Sequence, residues 1–271
     1  MLLYKDLLDN ITFSFSSLHQ YEQCPFGFYE NKIDKTEINE SNFFAEIGTY
    51  IHDITAKIIS GEIDIDNSIE FFIDNYENNV VYKAKQSTVE SKYNASIDYL
   101  AAFDIDLLKN YDVLGVEKEV HFELEGYKFI GFIDLLLKDK TSGEILLIDH
   151  KSLGHFLKND GKPLKNQLQH FSAYKKQMYL YSKAIYDEYG VFPAKIIWNH
   201  LFERTITKIS FNENDYKKSL KWAIDTIHKI YSDKEFKAMP TYMLCKVLCG
   251  YRNSCAYAKE VILNQNISKS T

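Results

Sequence analysis

Apolar residues recur every three to four positions after Asn42, where Phe44, Ile47, Ile51, Ile54 and Ile58 form one helical stripe that Gly61 breaks. Stretches around Ile69–Tyr76 and Ala95–Leu108 keep the same period, so the region to about Asn110 is expected to be a helical subdomain. Upstream, Thr12–Ile33 opens with Ser and Thr cap candidates. It carries Leu18, Tyr21 and Phe28 on a short helix interrupted at Pro25. At Gly115 the pattern changes to strand. Val116–Leu124, Tyr127–Leu137 and Glu144–Lys151 read as a β-meander turned at Glu125-Gly126 and at Lys140–Gly143, where glycine supplies positive φ. Lys165–Tyr189 reads as a long helix with Gly190 at its C′ position. Lys195–Phe202 and Thr205–Phe211 form a second strand pair, and Asn212 or Asn214 caps a helix running to about Tyr231. Helices, meander, helix, strands, helix: this order predicts an α/β core with a helical elaboration.

Composition narrows the class. With 271 residues, 45% hydrophobic and 26% charged, the chain can bury a sizeable core; disordered, collagen-like and disulfide-scaffold classes are excluded. Twenty Tyr and 18 Phe are its most unusual feature. No run of about 20 apolar residues suits a membrane helix. Met1–Asn10 mixes Lys5, Asp6 and Asp9 into its apolar residues, unlike a secretory signal, so a cytoplasmic protein is expected. The net charge of −6 counts against a protein that coats nucleic acid. Locally the sign reverses. Between His150 and Lys195 eight lysines face three acids, a setting in which nucleic acid can bind.

That basic stretch adjoins the sharpest motif. Asp134 sits in Gly131–Asp134 (GFID) among Phe132, Ile133, Leu135, Leu136 and Leu137, where a solvated aspartate is unexpected. Asp149 and Lys151 end the next strand (IDHK), two apart and hence on one face. If the hairpin closes through Lys140–Gly143, Asp134 lies near Asp149. Two converging carboxylates with one lysine then call for a hard divalent cation, and Mg²⁺ suits phosphate chemistry. Lys151 would orient or deprotonate the attacking water, or stabilise charge on phosphorus. The competing reading has Asp134 in solvent and Lys151 merely paired with Asp149. Gly48 and His52, four apart on the first helix, offer an imidazole ligand. Gln177 and Tyr181, four apart on the Lys165–Tyr189 helix, offer an amide and a phenol to a phosphate or water.

Four cysteines complete the inventory. Cys24 stands alone, whereas Cys245, Cys249 and Cys255 follow C-x3-C-x5-C near the end. In a reducing compartment this points to a metal or cluster site joining the two ends of the chain, with Zn²⁺ and an iron–sulfur cluster both open.

Taken in order, these pieces resemble the PD-(D/E)XK nuclease superfamily, specifically RecB-like exonucleases with an iron–sulfur cluster, of the AddB nuclease-domain and CRISPR-associated exonuclease type. The resemblance runs from Ser14–Ile33 (SFSSLHQYEQCPFGFYENKI) through GTYIH (Gly48–His52), GFID, IDHK and Gln177–Tyr181 to the tail cysteines. It implies a restriction-endonuclease-like fold: a mixed central sheet flanked by helices, an N-terminal helical subdomain over 1–114, a nuclease core over 115–240 and a Cys-rich tail over 241–271. It implies metal binding (Mg²⁺ or Mn²⁺) by His52, Asp134 and Asp149, helped by the backbone carbonyl of His150. Lys151 would be the catalytic lysine, with Gln177 and Tyr181 positioning DNA or assisting at the phosphate. Cys24, Cys245, Cys249 and Cys255 would hold a [4Fe–4S] cluster. Two departures stand out: C-x3-C where C-x2-C is usual, and Ile133 rather than proline before Asp134. Glu119, on the preceding strand, would add an acid. The expected activity is metal-dependent exonucleolytic cleavage of single strands or duplex ends in recombination, repair or phage DNA metabolism, alongside a helicase or single-strand annealing protein. The alternative is a non-cleaving, DNA-binding iron–sulfur subunit of such a complex.

Overall fold

In the computed structural model, which describes residues 4–37, 41–152, 154–158 and 161–267, one short helix, α1 (Lys5–Leu8), precedes α2 (Phe15–Gln23) and α3 (Pro25–Lys32). Residues 1–3 of the opening segment, and Asp160 of the basic stretch, lie outside the described residues. Ser14 caps α2 reciprocally. Its Oγ accepts the Ser17 N–H at 3.1 Å, while Ser17 Oγ accepts the Ser14 N–H at 2.9 Å. Pro25 starts a new helix rather than interrupting one, because at the first helical position its missing N–H has no intrahelical partner to lose.

The predicted stripe becomes α4 (Phe43–Ser60), whose Ile47, Ile51, Ile54 and Ile58 are buried; Phe44, expected on that stripe, is exposed, and Phe43 takes the buried place one residue earlier. Each buried isoleucine contributes about 1.5–3 kcal/mol. The isoleucines pack with Phe72 and Tyr76 of α5 (Ser68–Asn79) and Tyr99 and Leu100 of α6 (Gln86–Ala101). The last helix ends earlier than its periodicity suggested, and Ile105–Asn110 turns as a 3₁₀ segment capped by Asp104.

Among the described residues five strands follow: β1 (Tyr111–Leu124), β2 (Tyr127–Asp139), β3 (Ile145–Lys151), β4 (Lys195–His200) and β5 (Thr205–Ser210). They form one sheet in sequence order. The β2/β3 and β4/β5 pairs are antiparallel, and β3/β4 is parallel, with α7 (Leu168–Tyr189) in the crossover. The sheet is therefore mixed and flanked by helices, as expected. At the β1–β2 turn both Glu125 (φ 48°) and Gly126 (φ 84°) are left-handed, the hairpin turn whose twist matches the strands. Gly190, at φ 72°, ends α7 as predicted. The Asn212 Oδ1 accepts the Asp215 N–H at 3.0 Å at the start of α8 (Glu213–Ser232). The described residues end in α9 (Ala256–Ile267). No helix among the described residues is long and apolar enough to cross a membrane.

Two compact units emerge, neither of them a contiguous stretch. One comprises Met1–Asn42, Glu123–Phe129 and Lys221–Thr271; the other comprises Phe43–Phe122 and Ile130–Leu220.

Candidate active site

The acids and lysine fall in the second unit, where β2 and β3 pair. Leu135 lies opposite Ile148 and Leu136 opposite Leu147. One further step of that register brings Asp134 opposite Asp149. Asp134 is not solvated: its side chain is only 14% exposed, and its Oδ2 accepts the His150 N–H at 2.6 Å. Asp149 is buried. Lys151 donates to its Oδ1 at 3.0 Å and stands 2.8 Å from its Oδ2. That second oxygen nonetheless lacks a partner in hydrogen-bonding geometry, leaving a buried acceptor unsatisfied.

Helix α4 supplies the imidazole. His52 Nδ1 is 3.7 Å from Asp134 Oδ2. A Cβ added at Gly48, one turn earlier, would come within 3.2 Å of Ser152 Oγ, so a glycine lets α4 approach the end of β3 closely. Glu117 of β1 completes the group: ligand atoms of His52, Glu117 and Asp134 all lie within 4.8 Å of one another. Glu117 has a left-handed backbone (φ 45°) within its strand. Glu119, the acid expected from the sequence, instead contacts the exposed His121 at 2.6 Å.

Electrostatics mark the convergence. Burial raises Asp149 to about 6, with Asp134 adding to the rise and Lys151 opposing it. Asp134 also rises, chiefly through burial. Glu117 is partly open to solvent, yet its carboxyl is pushed up to about 7 by lost hydration and then by Asp134, Asp53 and Asp149. Burial lowers His52 to about 4, so its imidazole is neutral at pH 7 and can ligate. Burial opposes the Lys151 charge, but Asp149, Tyr174 and Asp134 outweigh it and hold the ammonium above the ordinary lysine value. Three acids resisting ionisation around a neutral imidazole, with one buried carboxylate oxygen unsatisfied, fit a hard divalent cation.

Helix α7 holds the lysine from its other side. Lys151 Nζ donates to Gln177 Oε1 at 3.4 Å, and Gln177 Nε2 donates to Tyr181 Oη at 3.1 Å. The same ammonium sits 4.1 Å from the ring centre of Tyr174. His150 turns elsewhere, its Nδ1 3.1 Å from Asn199 Nδ2. The phenol of Tyr181 meets the Phe132 backbone, and its ring covers Gly131, where an added Cβ would lie 2.4 Å from Cε1. Gly131→Ala should therefore displace Tyr181 and destabilise the fold by about 1–3 kcal/mol, the usual penalty of overpacking. A thermal melt checks it, and an unchanged midpoint would refute the close approach. Sequence reading missed Glu117, Tyr174 and Asn199. Of these, only Tyr174 carried a signal: it lies three residues before Gln177, on the same helical face.

The four cysteines belong to the first unit. Burial raises the Cys245 thiol, and Cys249, Cys255 and Cys24 add to the rise. Leu244–Leu248 is a π-helical turn closed by the Cys249 N–H on the Leu244 carbonyl at 2.8 Å. This turn holds Cys245 and is capped by Cys249, so the C-x3-C spacing is wound as a π-helical turn.

Comparisons with known proteins bear on the fold and the family. The crystal structure of a "Putative exonuclease" from Eubacterium rectale is similar to this chain with a TM-score of 0.52 at 15% identity, covering 86% of this chain and 85% of that one. The crystal structure of SSO0001 aligns over 64% of this chain and 80% of that one at 17% identity, with a TM-score of 0.30, too low to carry an argument. No curated protein matches the chain in sequence. The first likeness supports a shared fold; the family follows from the sequence model of the PD-(D/E)XK nuclease superfamily, which matches residues 12–256. With that match spanning nearly the whole chain, over a mixed sheet whose hairpin brings Asp134, Asp149 and Lys151 together, this protein belongs to the PD-(D/E)XK nuclease superfamily.

Proposed function

We propose that the protein is a cytoplasmic, Mg²⁺- or Mn²⁺-dependent DNA exonuclease, its chemistry seated in 115–240 with His52 contributed by 1–114. One observation carries the reading: the ion-paired Asp149 and Lys151 stand beside Asp134, whose carboxylate groups with His52 and Glu117. His52, Asp134, Asp149 and Glu117 would hold the divalent ion, and the backbone carbonyl of His150 remains a further donor. When bound, the ion polarises the phosphodiester and lowers the pKa of water. Lys151 stays protonated beside Asp149 and meets the negative charge that grows on phosphate oxygens in the transition state. Gln177 and Tyr174 keep the ammonium aimed, one by a hydrogen bond and one by its ring face. Tyr181 fixes Gln177 in turn, so both act through the lysine as positioning residues.

End-labelled single- and double-stranded DNA of both polarities, digested with Mg²⁺ or Mn²⁺, tests this reading. Shortening from an end supports it; cleavage at internal bonds from the outset removes the exonuclease assignment. DNA binding without any metal-dependent cleavage leaves the non-cleaving subunit.

The tail cysteines support a second metal centre, for which we favour a [4Fe–4S] cluster at Cys24, Cys245, Cys249 and Cys255. Four thiolates can hold either one Zn²⁺, at Zn–S bonds of about 2.3 Å, or an iron–sulfur cluster. The likeness of the Cys24, Cys245, Cys249 and Cys255 pattern to the iron–sulfur exonucleases favours the cluster. Visible charge-transfer absorbance that falls with iron content in Cys245→Ala is expected, and a colourless zinc protein would refute the cluster.

A further inference from the structure

Phe132 is half exposed, at 50%, two residues before Asp134 on β2. Along this stretch Phe129, Gly131 and Ile133 are buried, whereas Ile130, Phe132 and Asp134 are less covered. Phe132 and Asp134 therefore lie on the open side of the same alternation. At about 3.3 Å per residue their backbones are roughly 6.6 Å apart, on the order of one nucleotide step in an extended strand. Most phenylalanines of this chain pack against another ring, but among the described residues no ring and no cation lies on Phe132. Its backbone, by contrast, is held: Tyr181 meets it through the phenol and covers Gly131 with its ring. A rigidly mounted aromatic face with no partner, next to an acidic centre, is what an unpaired base needs beside a bound phosphate.

We propose that Phe132 is a stacking platform for an unpaired nucleobase adjoining the phosphate to be cut, and that it selects single-stranded nucleic acid at the site. A base inside a duplex has both faces occupied by its neighbours and must be extruded before such a ring can take it. The proposal deepens the nuclease reading, on which it rests for the place of the phosphate. The stacking itself is read by binding, without metal and without cleavage.

The experiment measures fluorescence anisotropy of the full chain in EDTA with three probes: a short oligothymidine strand, an abasic sugar–phosphate strand of equal length, and a blunt duplex. Phe132→Ala should weaken oligothymidine binding by about 5- to 150-fold, the equivalent of one stacked base, and leave the abasic strand unaffected. Phe132→Trp should restore it, and Phe132→Leu, which keeps bulk without a π-face, should behave like the alanine variant. Thermal melts monitor folding, and the Leu and Trp variants carry the test if the alanine variant is unstable. Unchanged oligothymidine binding in both the Ala and Leu variants overturns the proposal, as does an equal loss on the abasic strand. An equal loss on the blunt duplex overturns the single-strand selection. Separately, a parent protein that binds bases through Phe132 but cleaves nothing with Mg²⁺ or Mn²⁺ sinks the nuclease reading and spares the platform.

Discussion

Lys151→Ala is expected to slow phosphodiester cleavage by about 100- to 1,000-fold, the range for removing one preorganised donor to transition-state charge. The loss should fall on kcat rather than KM, because the ammonium meets charge that the bound ground state has not yet developed. Single-turnover rates at saturating DNA check it, with metal-free binding as the control; parent-like turnover would end the assigned mechanism. The substitution also strands Asp149, whose Oδ1 accepts its hydrogen bond from Lys151 at 3.0 Å. Removing one partner of a buried ion pair costs about 3–5 kcal/mol, because the charge left behind is uncompensated. The sign of the pH dependence follows. Asp149 is already raised to about 6 and rises further without the lysine, so its unfavourable ionisation is felt above that folded pKa. The penalty shrinks as pH falls through it and the carboxyl takes up a proton. Urea unfolding of parent and variant across that window reads the difference.

Asp134→Asn should lower Mn²⁺ affinity by at least about 10- to 100-fold, more than the usual effect of losing an outer-shell partner of a ligand. The amide is nearly isosteric, and its Oδ1 can still accept the His150 N–H that Asp134 takes at 2.6 Å. The change is thus one of charge more than of shape. It also relieves repulsion: Asp134 is the leading charged contributor to the rise of Glu117 to about 7. The metal-free variant should accordingly be no less stable than the parent, the pattern of a site that gives up stability for function. Isothermal titration with Mn²⁺ and a melt in EDTA measure both arms. Parent-like Mn²⁺ affinity would move the cation away from Asp134.

Residue periodicity carried most of the fold. The isoleucine stripe of α4, the glycine at the β1–β2 turn, Gly190 after α7 and Asn212 before α8 each follow from local geometry that neighbouring residues suffice to set. Element ends were less legible. β1 begins at Tyr111, before the change of pattern at Gly115, and β4 stops at His200, where Leu201–Glu203 turns as a 3₁₀ segment and Arg204 becomes left-handed. Such stops depend on what the strand meets, and a short window of sequence does not contain that.

The site divides along the same line. Asp149 and Lys151 two apart, and Gln177 and Tyr181 four apart, were legible because strand and helix periods alone put each pair on one face. Glu117 was not. Its neighbour Glu119 has the same chemistry, and only the left-handed backbone at Glu117 and the packing of three separate elements decide which carboxylate reaches His52 and Asp134. The ring of Tyr181 over Gly131, and of Tyr174 beneath Lys151, likewise join positions 50 and 23 residues apart in the chain. The sequence by itself determined which side chains share a face of each element and hence the available chemistry. Tertiary structure alone decided which faces meet, because contacts across elements depend on register, backbone bends and close approach that no local period encodes.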